Sequence, residues 1–307
     1  MAKAKILLKR RKSVRNTKKI TRTMEMVSTA KYKQSFGRIQ ASAPYQAKLR
    51  EVMADLAGAG AEVSHPLLET RAVRRTLVLL ITSNRGLCGG FNSNLNATAR
   101  GVLVKEREAG SEVELHVIGK KGIQTFRRRG EKMAFTSDSF GGAFRFADVN
   151  AIAETFIQRY SAREIDRVVV VYQKFLSAGR QVPVAETLLP LETGVTADAK
   201  TGATKAGPAD AAAAKRPGPK ADANYIFSPD PTSLMRELLP AYVKTTLWTN
   251  FLQTVVGEHL ARMVAMKNAT DAADKLIRSL TRAYNRARQS QITNEIAELM
   301  GGVEALK

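Results

Sequence analysis

A single cysteine, Cys88, stands in the whole chain, so no internal disulfide can form and a thiolate metal cluster lacks a second ligand. As a lone thiol it reads as a small, buried apolar residue. The three histidines, His65, His116 and His259, are scattered without the spacing of metal ligands. Aromatic residues make up only 6%, thin for a large compact core and natural for a coiled coil. Long hydrophobic runs are missing as well. Leu77 to Ile81 and Val168 to Tyr172 are of strand length, far below the roughly 20 residues of a membrane span. The expectation is a protein that is soluble or peripheral to a membrane. Acids are scarce: 28 Asp and Glu stand against 49 Lys and Arg, a net charge of +21.

What is present is unevenly placed. Lys3, Lys5, Lys9, Arg10, Arg11, Lys12, Arg15, Lys18, Lys19 and Arg22 fall within the first 22 residues, before any acid. Such a field calls for an acidic partner: nucleic acid, anionic lipid or an acidic protein surface. A mitochondrial transit peptide is also basic and acid-poor. Here the basic segment runs straight into a helical pattern, so Met1 reads as close to the mature start. With 44% hydrophobic and 25% charged residues the chain is globular. Its 307 residues hold two average domains, or one domain plus extended helices.

The two ends carry matching narrow stripes. Near the C-terminus Met263, Met266, Thr270, Ala273, Ile277, Leu280, Tyr284, Ala287 and Gln291 recur three and four apart. Near the N-terminus Val14, Thr17, Ile20, Thr21, Met24, Val27 and Ser28 do the same. Stripes this narrow suit a coiled-coil seam, and neither helix can bury its own, so the two ends are expected to pair antiparallel. The N-terminal helix, over 1–58, should be kinked or interrupted at Pro44. The C-terminal helix should start near Thr232 or Ser233, kink at Pro240 and run to Gly301-Gly302.

Between the ends the pattern changes. Strands at Thr76–Ile81, Glu114–Ile118, Arg167–Tyr172 and Val182–Leu188 alternate with helical stretches near 92–108 and 148–161. Gly119 to Gly122 reads as a turn into a further helix. This is a mixed α/β class: a Rossmann-like layered domain over 70–192, with a mainly parallel sheet covered on both faces. Residues 193–224, rich in Ala, Gly, Pro and Lys, read as a flexible insert, and 225–307 as the C-terminal coiled-coil helix.

Candidate sites for chemistry are few. Ser83 to Gly90 lies between a strand and a helix, where phosphates bind. It has neither Gly-Lys-Ser/Thr nor G-x-G-x-x-G, so a tight turn is the better reading. No paired carboxylates flank a cleft, and no nucleophile sits with a base. Asp271 and Asp274, one turn apart, read as a solvated helix face. The basic arm lacks the interleaved aromatics of single-strand binders, with Tyr32 and Phe36 well downstream. A basic coiled-coil protein that binds nucleic acid is the alternative reading.

Three blocks, in order, carry a family likeness: Ser13 to Val27, Ser83 to Leu95, and Ala261 to Ala273 continuing from Tyr284 to Gly302. On these blocks the chain resembles the gamma subunit of rotary ATP synthases, bacterial type, nearly end to end outside 193–224. The resemblance implies a central-stalk subunit without catalytic, cofactor or metal site. Its coiled coil would turn inside a ring of alternating alpha and beta subunits. The globular part would meet the epsilon subunit and the membrane c-ring, with no nucleic acid involved. It would couple transmembrane proton flow to ATP synthesis, peripheral to the inner membrane on its cytoplasmic side.

By position, the resemblance assigns Lys18, Lys19, Arg22 and Met24 to acidic loops of the beta subunits, and Arg288, Gln289 and Thr293 to upper beta-subunit contacts. It puts Ile296 to Leu306 in an apolar bearing at the top of the ring, and Tyr225, Phe227 and Ser228 in the foot beside the c-ring. Ser228 stands where an acid is common, Val303 where alanine is usual, and Thr23 and Thr29 replace smaller residues. The regulatory cysteine pair of the chloroplast form is absent, so thiol switching is not expected.

Overall fold

Leu77, Leu79 and Ile81 of one strand are buried on one side and Val78 and Leu80 on the other, so this strand is covered on both faces. That is why its sequence is a continuous apolar run rather than an alternation. The computed structural model describes residues 2–58, 65–139, 144–191 and 231–304, and the account that follows is of these. The chain divides into two units, Met1–Ala30 with Arg262–Lys307, and Lys31–Ala261.

The larger unit holds a five-stranded sheet: β1 Arg75–Ile81, β2 Glu112–Ile118, β3 Phe135–Ser137, β4 Arg167–Ser177 and β5 Arg180–Leu189. The order is β3-β2-β1-β4-β5, parallel except for the antiparallel β4–β5 pair. Helices α2 (Phe91–Glu108) and α3 (Lys120–Arg128) cover one face through Leu95, Ala99, Leu103 and Phe126. Helix α4 (Phe146–Ser161) covers the other through Val149, Ala153, Phe156 and Tyr160. It is joined there by parts of α1 (Ala2–Gly58) and of the last helix, α5 (Pro231–Glu304), through Ile39, Leu239, Val243, Leu247 and Phe251. Short β3 and the turn Pro66–Leu68 carry too little periodicity to be seen in the sequence.

Gly122 lies inside α3 rather than in the turn before it. A β-carbon on Gly122 would sit 2.8 Å from Val117 Cγ1, and one on Gly119, at φ 102, only 2.2 Å from the Thr82 carbonyl oxygen. Glycine is needed at both because α3 starts hard against the ends of β1 and β2. Thr82 Oγ1 donates to the Ile118 carbonyl and accepts the Gly122 N–H at 3.0 Å, closing that junction.

Neither proline interrupts its helix: Pro44 lies within α1 and Pro240 within α5. The carbonyls that lose a donor belong to Gln40 and Arg236, both exposed, so water can serve them. Burial of Ile39, Leu49, Met235 and Leu239 then holds the flanking turns. Gly301 and Gly302 also remain helical, since glycine costs a helix only about 1 kcal/mol.

In the smaller unit the two ends pair antiparallel. Arg11 stacks on Tyr284 at 4.9 Å, Lys18 bonds Asp274 at 2.5 Å, and Thr21 meets Thr270 at 2.8 Å, numbers rising on one helix as they fall on the other. All nine residues of the C-terminal stripe, Met263 to Gln291, are buried or half-buried. The N-terminal stripe is corrected in part. Val14, Thr21, Met24 and Ser28 lie in the seam, but Thr17, Ile20 and Val27 face outward. Arg11, Lys18 and Glu25 take seam positions instead, each half-buried.

Candidate functional site

The polar seam consumes its own charges. Thr21 and Thr270 share a buried hydrogen bond, and the threonine that accepts in it gives its own proton to a carbonyl of its own helix, Lys18 or Met266. Lys18 Nζ is neutralised by Asp274, so Asp274 is a seam residue rather than part of a solvated face, while Asp271 is exposed. Both groups of that pair are more than a third exposed, which limits it to about 0–1 kcal/mol. Its effect is to fix register rather than to add stability.

Of the residues assigned to beta-subunit contact, Lys18 therefore turns inward. Lys19 and Arg22 are exposed, Arg22 reaching Glu25 at 3.4 Å, and Met24 is half-buried. Beside them, Ile20 and Val27 stand 61% and 50% exposed, one helical turn on either side of Met24. The outcome is an outward apolar stripe bordered by cations, a surface that sequence reasoning assigned to the seam. The cue was available: a strict 3.5-residue register through Val14, Lys18, Thr21 and Ser28 leaves Ile20 and Val27 outside.

On the partner helix Arg288, Gln289 and Thr293 are all exposed, with Thr293 Oγ1 donating to the Gln289 carbonyl. The seam ends at Gln291, and every residue from 292 to 302 is exposed. Ile292, Ile296, Leu299 and Met300, between 45% and 71% exposed, share one face at helical spacing. The side chains of 303–307 lie outside the described residues, as do Tyr225, Phe227, Ser228 and the 193–224 segment.

The larger unit was also a candidate, because doubly wound sheets bind ligands beyond the carboxyl ends of the strands where the chain reverses direction. Here that point lies between β1 and β4, and α5 fills it. The Gln173 and Phe175 N–H groups donate to Thr254 Oγ1 and Gln253 Oε1, at 3.3 and 3.1 Å. Gly257 permits the approach: a β-carbon there would stand 2.7 Å from Gln173 Cγ. The adjoining Ser83–Gly90 loop spends polar groups on neighbouring protein, with Asn84 Nδ2 donating to the Asp138 carbonyl and Asn84 Oδ1 accepting the Lys120 N–H. Ser83 N–H donates to Asn92 Oδ1 at 3.1 Å, and Ser83 Oγ donates to the Arg85 carbonyl at 2.6 Å. Cys88 is buried, with Asn92 Nδ2 3.2 Å from its sulfur. Among the described residues no group of His, Cys, Asp and Glu could hold a metal, and no helix is long and apolar enough to cross a membrane.

A family model described as ATP synthase matches residues 3–306. The ATP synthase gamma chain of Rhodopirellula baltica is 42% identical over the full length of both chains. That of Nitratidesulfovibrio vulgaris is 39% identical over 96% of this chain and 95% of its own. In fold, the chain resembles one in the cryo-EM structure of Euglena gracilis mitochondrial ATP synthase (OSCP/F1/c-ring). The TM-score is 0.62 with 16% identity, covering 99% of this chain and 95% of that one. A chain in the central stalk/c-ring structure of the Tetrahymena thermophila mitochondrial enzyme gives 0.54 with 22% identity, covering 81% and 99%. The chain belongs to the ATP synthase gamma chain family.

Proposed function

We propose that the chain is the rotating central shaft of a proton-driven ATP synthase, coupling ion flow to the catalytic ring while holding no catalytic residue. The observation that carries this reading is family membership over residues 3–306. The paired ends supply a physical rationale. A shaft transmits work by biasing nucleotide-binding equilibria at other subunits, which requires contacts that differ from one ring position to the next. The N-terminal helix offers Ile20, Met24 and Val27 beside Lys19 and Arg22; the C-terminal helix offers Arg288, Gln289 and Thr293. Two unlike faces on one pair of helices meet that requirement. Alpha and beta subunits would surround them, with acidic beta-subunit loops meeting the cations.

The unpaired apolar face at Ile292, Ile296, Leu299 and Met300 would turn in an apolar bearing. The epsilon subunit and c-ring would hold the globular unit. The chain would then be peripheral to the inner membrane, on its cytoplasmic side. Co-expression with alpha, beta and epsilon subunits should yield a complex holding one copy of this chain per three alpha and three beta. Proton pumping driven by ATP should require it. Full coupling in a complex reconstituted without the chain would overturn the proposal.

A further inference from the structure

The α2–α3 face of the larger unit carries a groove of about 290 Å³ between the two helices, with Phe126 at its base. Arg100 of α2 and Lys121, Arg128 and Arg129 at α3 line it, and no acidic residue does. None of these four cations pairs with a carboxylate among the described residues, whereas neighbouring cations do. Arg107 holds Glu131 at 2.8 Å, and Lys120 holds Asp138 at 3.3 Å. Helix-dipole compensation accounts for Arg128 and Arg129 at the C-terminal end of α3. It does not account for Lys121, in the first turn where a cation is disfavoured, or for Arg100 in mid-helix.

The two helices are tied across the groove by Asn96 Nδ2, which donates to Thr125 Oγ1 at 3.2 Å. Thr125 in turn donates to the Lys121 carbonyl at 2.8 Å. That leaves Asn96 Oδ1 buried without a donor. An occupant matched to this groove carries several negative charges.

We propose that the groove binds an anion with two linked phosphoryl groups, either inorganic pyrophosphate or the diphosphate of a nucleotide. Arg100, Lys121, Arg128 and Arg129 hold the oxygens of both phosphoryl groups. Sulfate, a single group with two charges, engages fewer of the four cations. The buried Phe126 ring is only 2% exposed and offers no face for a base to stack on, so recognition stops at the phosphoryl groups.

The test is calorimetric titration of the purified full-length chain at low salt with pyrophosphate, ADP and sulfate. One pyrophosphate site is expected, with ADP within about threefold of it and sulfate at least tenfold weaker. R100Q/R129Q should weaken pyrophosphate at least tenfold. K9Q/R15Q, in the basic N-terminal segment, should leave it unchanged. All these positions are exposed, and unchanged urea midpoints would show that the variants fold. No binding, equal loss in both charge variants, or several equivalent sites would overturn the proposal. ADP far tighter than pyrophosphate would overturn base-independent recognition.

Discussion

Glu114 and His116 project from the same side of β2, where both nitrogen tips of Arg159 grip Glu114 at 2.8–2.9 Å. His116 lies between the rings of Phe135 and Phe156, with Nε2 2.7 Å from Glu114. Hydrogen bonds from Arg159, then from His116, hold the Glu114 carboxyl down to about 2. Burial lowers the His116 pKa more than Glu114 raises it, so the imidazole is neutral and its Nε2–H donates. Both shifts weaken the fold in acid. Below about pH 6.5 the unfolded histidine takes a proton that the folded one refuses. Below about 4.3 the unfolded glutamate does the same, until the folded group titrates near 2.

Urea unfolding against pH should therefore show stability falling in two steps, the lower worth on the order of 1–2 kcal/mol after solvent screening. His116→Phe should remove part of the upper step and leave a part to His65, which burial also lowers. An unchanged pH profile in that variant would contradict this account. The strand alternation of Glu114-Leu-His-Val-Ile already put Glu114 and His116 on one face. Arg159 was invisible because it arrives from α4, 45 positions later.

At the scale of elements, the four longer strands and the helices between them were legible from apolar runs and glycine punctuation, since local pattern and tertiary burial agree there. The C-terminal side of the seam was legible for the same reason. The N-terminal side was not, because its register is held by polar groups. Arg11, Lys18 and Glu25 take seam positions that an apolar reading gives to Ile20 and Val27, and the partners of Arg11 and Lys18 lie more than two hundred residues away. The outward stripe, the most informative part of the candidate site, was hidden by the same error.

The observed register is testable. Thr21 and Thr270 oxygens meet at 2.8 Å, so cysteines at these positions would face each other across the seam, and Cys88 is buried and does not compete. Thr21→Cys with Thr270→Cys should oxidise to an intramolecular disulfide, seen as a shifted band on a non-reducing gel. Thr17→Cys with Thr270→Cys should not. The reverse result would place the helices one turn out of register.

At the scale of the whole molecule, the excess of 49 cations over 28 acids stops looking like a uniform solubility charge. Much of it gathers at the N-terminal end of α1, where Lys9, Arg10, Lys12, Arg15, Lys19 and Arg22 are all exposed. The sequence reading asked for an acidic partner there, and the proposed role supplies one in the beta-subunit loops. The central claim is that the chain turns. Its most direct test fixes an alpha–beta complex holding this chain to a surface by its beta subunits and follows a bead attached to the globular unit while ATP is supplied. Stepwise rotation in one direction, three steps to the turn, is the predicted result. Sustained ATP hydrolysis with a stationary bead would contradict it.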